Sequence, residues 1–120
     1  PLARGILAGA YRGSLEGGTT DRSTGQDRAR TESLYRGEAD FAIADRVIQL
    51  AEARECRPAQ IAIAWLLSKP GVTAPVVGVS RVEQLHQLIE ACSIELSEEE
   101  INHLEELYRP VDNLLSIGTS

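Results

Sequence analysis

Residues 58–85 read PAQIAIAWLLSKPGVTAPVVGVSRVEQL, and three changes of pattern inside that run decide the fold. Pro58 suits a first helical position, and the residues after it are apolar nearly all round through Ile61, Ala64, Trp65 and Leu67. This predicts a buried helix ending near Ser68, and Pro70-Gly71 stops it. Val72 to Val79 (VTAPVVGV) is rich in β-branched residues, lacks polar alternation and has turn signals on both sides. That predicts a short strand covered on both faces, as in a parallel sheet. Ser80-Arg81-Val82-Glu83 then fits a capping box, with the Ser hydroxyl meeting an orphan amide and the Glu reaching back. The helix it opens carries Val82, Leu85, Ile89 and Cys92 on one face. Helix, stop, strand and helix in that order read as an α/β chain.

Working upstream, Phe41, Ala44, Ile48 and Ala51, with Val47 beside them, recur at helical spacing and predict an amphipathic helix from about Ala39 to Glu55. Arg12 to about Glu38 is rich in Gly, Ser, Thr, Arg and Asp with few aliphatics, which reads as a long mobile loop; connections of that length often serve as lids. Residues 1–11 (PLARGILAGAY) are small and apolar. Downstream, Ser97-Glu98-Glu99-Glu100 is a second capping box, opening a helix with Ile101, Leu104, Leu107 and Tyr108 inward and ending before Pro110. Its first-turn glutamates complement the helix dipole. The tail 111–120 has no clear period, and there is no internal repeat. The chain should therefore be mostly helical, with a short strand near 73–78 and room for another at the N-terminus. A lone strand leaves its edges unpaired, a liability that a second chain relieves, so self-association is expected.

The 120 residues amount to one small domain, and the charge balance of 12 basic against 18 acidic residues, net −6, argues against nucleic-acid or anionic-membrane partners. A mean hydropathy of −0.16 is ordinary for a soluble globular protein. No apolar run reaches the length of a membrane span, and the N-terminus lacks a signal-peptide pattern, so a cytoplasmic location is expected. Cys56 and Cys92 have no metal-ligand spacing and no CxxC pattern, and read as reduced, inert thiols. No metal site is expected. The chain has no methionine and opens on Pro1-Leu2, which suggests a processed or partial piece of a longer polypeptide.

The strongest local chemistry is Gly78 at the end of the strand followed by Ser80-Arg81 at a helix start. Unpaired helix amides, a hydroxyl and a guanidinium together suit a phosphate monoester. The alternative at this point is an ordinary capped helix with a surface Arg.

Three runs, PLARGILAG (1–9), residues 58–85 as quoted above, and LSEEEINHLEELYRP (96–110), resemble in order and spacing the C-terminal part of an aldo-keto reductase. The similarity is to the broad group that also holds the potassium-channel β subunits. It implies a (β/α)₈ TIM barrel that uses NADPH to reduce aldehydes and ketones. Such barrels take about 250 residues, so the resemblance covers only the last third. It implies the end of strand seven and a cofactor loop at 1–11, the mobile loop at 12–38, and two helices at 39–69. Strand eight follows at 72–79, the closing and C-terminal helices at 80–110, and the tail at 111–120. In the family the loop after strand seven folds over the bound cofactor.

The resemblance also implies roles for residues. The segment holding Leu2, Gly5 and Leu7 would lie along the pyrophosphate of NADP(H), touching it largely through backbone. Gly78, Ser80 and Arg81 would hold the 2′-phosphate and adenosine, and Gln84 with Gln87 would line the adenine side. Relatives usually read Glu-Gln-Leu-x-x-Asn where this chain reads Glu83-Gln84-Leu85-His86-Gln87-Leu88. The Asn that would pair with adenine is thus Leu88, and Ala10 stands where a Lys is common; both weaken the expected affinity. The family's catalytic Tyr, Lys, Asp and His sit in the first half of the barrel, and none maps here. Tyr11 reads as a loop aromatic, Lys69 as a solvated charge at a helix end, His86 and His103 as surface residues, and Trp65 as core.

The expectation is the NADP(H)-binding portion of an oxidoreductase, inactive as this chain alone, with an aldehyde or ketone reduced only in a complete barrel. The competing expectation is a non-catalytic module derived from the barrel that self-associates or binds nucleotide. A third is generic anion binding at Ser80.

Overall fold

A computed structural model describes residues 1–9 and 38–110; the loop 12–38, but for its last residue, and the tail 111–120 lie outside the described residues, as does Tyr11. Among the described residues four α-helices form: α1 (Glu38–Ala53), α2 (Pro58–Leu67), α3 (Val82–Glu90) and α4 (Glu98–Glu105). A 3₁₀ helix spans Ala3–Ala8 and a 3₁₀ turn, Ala91–Ser93, follows α3.

Helix α1 forms where the apolar spacing predicts it, and it buries Phe41, Ala44, Val47, Ile48 and Ala51. Glu38 and Asp40 sit in its first turn, where acids favour the positive helix end. Pro58 occupies the first turn of α2, where its missing N–H is no loss. Val47 and Ala51 of α1, Ile61 of α2 and Leu104 of α4 form one buried cluster, flanked by Leu7, Leu50, Trp65 and Leu96. The N-terminal 3₁₀ helix packs Ile6 against Phe41 and Ala44.

Polar links tie the same three helices. Arg54 grips Glu100 in a fork, Nε to Oε1 at 2.8 Å and Nη2 to Oε2 at 2.7 Å, and also donates to the Glu95 carbonyl. Arg46 donates to the His103 carbonyl and to Glu106. Trp65 is half-buried rather than fully core, because its Nε1 donates to Glu105 at 2.8 Å. Lys69, expected to be a free solvated charge, pairs with the same carboxylate and lies over the Trp65 ring, 5.0 Å from its centroid.

The two expected strands and the face of α3 depart from expectation. Residues 72–79 have no regular secondary structure and no strand forms among the described residues, because a ladder needs a neighbouring strand and none is supplied there. The N-terminal segment, read as a possible second strand, is 3₁₀ instead, with Gly5 N–H and Leu7 N–H both bonded to the Leu2 carbonyl. The predicted inward face of α3 is its outer one: Val82, Leu85 and Ile89 are 66%, 41% and 57% exposed, and Cys92 is exposed as well. Leu88 is buried in their place, packed with Ile63 and Ala91, and Val77 and Leu2 lie against this cluster. On α4, Leu104 is buried as expected, whereas Tyr108 is exposed beyond the helix end.

Candidate functional site

The approach to Ser80 is set by the turn after α2. Gly71 takes a φ of 90°, a left-handed conformation suited to glycine, and the Val72 N–H bonds back to the Lys69 carbonyl. From there the segment runs without regular secondary structure to Gly78. A Cβ built on Gly78 would meet nothing within 4 Å, so packing among the described residues does not demand glycine there.

The start of α3 differs from a capping box. The helix begins at Val82 with Arg81 as N-cap in an extended conformation, and no side chain caps it. Ser80, one residue further back, does not reach the third helical amide. Instead the Gln84 side-chain carbonyl accepts from the Ser80 N–H at 2.9 Å and from the Ser80 hydroxyl at 3.2 Å. Ser80 and Arg81 are both exposed and Gln84 is half-buried. The helix start therefore presents uncapped amides, an exposed guanidinium and a hydroxyl within two residues, an arrangement suited to an anion.

Other residues singled out in the sequence fall into place around this start. Gln87 is half-buried, and its backbone carbonyl accepts from the Gln60 amide at 2.9 Å. Leu88 faces Ile63 and Ala91 in the core, so the position expected from the resemblance to hold an adenine-pairing Asn is turned inward. In the N-terminal segment, Leu7 packs between two core clusters and Leu2 packs on the cluster that holds Leu88. Both side chains are committed to packing, which leaves backbone for any ligand contact. Gly5 (φ 98°) and Ala3 (φ 49°) are both left-handed, an uncommon conformation for alanine. Leu2 and α3 thus share one cluster, whereas Leu7 packs on the two clusters that hold buried residues of α1.

Gln60 is a residue the pattern reading passed over. Only 5% exposed, it is the buried polar side chain in a helix that otherwise reads as apolar all round. The signal was present as a lone amide in the run PAQIAIAW, but pattern alone does not say what it bonds.

No cluster of His, Cys, Asp and Glu suited to a metal occurs among the described residues, and no described helix is long and apolar enough to cross a membrane. Burial pushes the Cys56 thiol up, with the Arg54 charge opposing, which disfavours the reactive thiolate.

Comparison with known proteins gives this arrangement its context. The Aldo/keto reductase family matches residues 1–109. The versiconal hemiacetal acetate reductase of Aspergillus parasiticus is 38% identical over 112 residues, covering 92% of this chain and 31% of that protein. A Schizosaccharomyces pombe protein named as an aryl-alcohol dehydrogenase is 40% identical over 111 residues, covering 92% of this chain and 30% of its own length. The aldo-keto reductase yakc of the same yeast, whose name carries NADP(+), is 28% identical over 118 residues, or 98% of this chain and 33% of that protein. The chain thus spans about a third of the length of the curated relatives it matches. With nearly every described residue inside the match, the chain belongs to the aldo/keto reductase family.

Proposed function

We infer that this chain is the NADP(H)-binding portion of an aldo/keto reductase, which in a complete (β/α)₈ barrel reduces an aldehyde or ketone. The observation that carries the reading is the uncapped start of α3, where Ser80 and Arg81 are exposed and Gln84 folds back onto Ser80. The residues fit the group: helix amides and a guanidinium act together on a phosphate, and the open side of Gly78 leaves backbone free for an adenosine to approach. Bound NADPH would supply the hydride. This chain's own part is to bind and orient the adenosine end through Gly78, Ser80, Arg81, Gln84 and Gln87, and the pyrophosphate through the backbone of Leu2, Gly5 and Leu7. The proton-donating Tyr and its partners belong to the first half of the barrel, so this chain alone is inactive and works in the cytoplasm only as part of the whole. The printed NADP(+) of the yakc relative supports the cofactor class.

A calorimetric titration of the chain with NADPH and with NADH tests this. NADPH should bind the more tightly, and Arg81→Ala should remove a charge-assisted contact of about 1.5–3 kcal/mol, erasing the preference. Equal binding of the two nucleotides by the wild type would refute the cofactor reading.

The second reading, a non-catalytic module that self-associates, is favoured by the exposed Val76, Val82, Leu85 and Ile89. Sedimentation over a range of concentration distinguishes it, since a monomer throughout would remove its support.

A further inference from the structure

Burying an amide costs free energy unless each polar atom is bonded, and Gln60 meets that condition with partners on two sides. Its Oε1 accepts from the Arg57 N–H at 2.8 Å, closing the N-terminus of α2. Its Nε2 donates to the Gln87 carbonyl at 2.9 Å and to the Glu90 carboxylate at 3.1 Å, both in the last turn of α3. The Gln87 carbonyl already takes the helical bond from the Ala91 N–H, so Gln60 adds a second donor to a carbonyl that needs none for helix formation.

The rest of the attachment of α3 is slight. Leu88 is its one buried side chain, followed by Ala91 just past its end, while Val82, Leu85 and Ile89 face outward. Apolar contact is non-directional, so Leu88 and Ala91 hold α3 against α2 without themselves specifying its direction. Hydrogen bonds are directional, and the Gln60 bracket supplies that direction. A helix turns about its axis as a unit, so a turn released at the bracket carries Gln84 and the Ser80-Arg81 start through the same angle.

We propose that Gln60 is a positioning residue that aims the start of α3, and that it thereby sets how strongly the site prefers a 2′-phosphorylated nucleotide. The aim at the phosphate rests on the nucleotide reading given above; the coupling of Gln60 to Ser80 does not.

The test uses the full chain and two readouts. Gln60→Met keeps the volume and removes all three bonds. Leu104→Ala is the control: it destabilises the cluster shared by α1, α2 and α4, to which α3 contributes nothing. Without nucleotide, the backbone amide resonances of Ser80 to Gln84 should move in Gln60→Met and stay at their wild-type positions in Leu104→Ala. With nucleotide, Gln60→Met should lower NADPH affinity by roughly tenfold and NADH affinity by less than about threefold, so that the preference narrows; Leu104→Ala should leave the ratio of the two affinities unchanged in its folded fraction. Gln60→Glu keeps the acceptor for the Arg57 N–H and so the start of α2, but removes both donations to α3 and sets a carboxylate oxygen against the Gln87 carbonyl. It should narrow the preference at least as far as Gln60→Met, and it serves where Gln60→Met does not fold. Ser80–Gln84 resonances unmoved in these variants, or a wild-type preference that survives them, would overturn the proposal. Resonances that move in a chain showing no NADPH preference would support the coupling and overturn the nucleotide reading instead.

Discussion

Helices α1, α2 and α4 close their apolar faces on one another, with Ile61 fully buried at the centre, while residues 72–93 attach to that body through Val77, Leu88 and Ala91 and through the Gln60 hydrogen bonds. The first region also has its charges clamped, Arg54 on Glu100 and Arg46 on Glu106. The second leaves Val76, Val82, Leu85 and Ile89 facing outward. Both regions have amphipathic sequence. What separates them is the supply of partners: an apolar stripe is buried only where another face is present to receive it, and α3 has fewer faces within the described residues than its sequence provides for.

The largest expected effect tests this directly. Ile61→Ala should cost about 2–5 kcal/mol, the lost transfer energy plus that of a cavity walled by three helices. Ile89→Ala, at a residue 57% exposed, should cost less than about 1 kcal/mol. Urea denaturation of the two variants measures both, and equal costs would abolish the distinction between the regions.

That distinction also marks how far the sequence could be read. Periodicity assigned Phe41, Ala44, Val47, Ile48 and Ala51 to one buried face, since in α1 the apolar stripe and the inward stripe coincide. In α3 it grouped Val82, Leu85, Ile89 and Cys92 correctly as one stripe, but periodicity says which residues share a face and not whether anything covers it. Residues 72–79 have the β-branched composition of a strand, yet a strand is a property of a pair, and pairing is not encoded in one segment. At the candidate site, Ser80, Arg81 and Gln84 were legible as a group because they are neighbours in sequence. Gln60 was not, since its partners Gln87 and Glu90 lie 27 and 30 residues away.

A smaller effect sharpens the comparison at the helix starts. Ser97 caps α4 as its sequence predicts: its hydroxyl accepts from the Glu100 N–H at 3.2 Å, and the Glu100 carboxylate accepts from the Ser97 N–H at 2.8 Å. Ser97→Ala should cost about 1 kcal/mol, read as a lower urea midpoint.

The clamp of Arg54 on Glu100 predicts a pH dependence confined to the first region. Hydrogen bonding from Arg54 holds the Glu100 carboxyl below the ordinary glutamate range, against a smaller opposing effect of burial. A group whose pKa is depressed on folding stabilises the protein above its unfolded value, about 4.3, and that contribution is lost as pH falls through the depressed value. Both side chains are partly exposed, 34% and 23%, so solvent screening limits the pair to about 0.5–1 kcal/mol. Arg54→Met should therefore lower stability by that amount at pH 7 and by progressively less as the pH is brought below 4. A difference from wild type that stayed constant from pH 7 to pH 3 would mean that Arg54 contributes through packing of its stem rather than through Glu100.

The smallest expected effect is at the other serine. Ser80 and Ser97 both precede a glutamate by three residues, but α3 begins a residue later than that spacing requires, with Arg81 rather than Ser80 at the N-cap. The Ser80 hydroxyl therefore satisfies no helix amide. Its bond to the Gln84 side chain is long, at 3.2 Å, between exposed or half-exposed groups, and the Ser80 N–H makes the shorter bond to the same oxygen without any help from the side chain. Ser80→Ala leaves that backbone bond in place and uncovers no buried polar group, so stability should change by less than about 0.5 kcal/mol. The same substitution should still weaken NADPH binding, because in the nucleotide reading the hydroxyl acts on the phosphate and not on the helix. A loss of stability near that of Ser97→Ala would mean that Ser80 caps α3 in solution and that its hydroxyl is committed to the helix rather than free for a ligand.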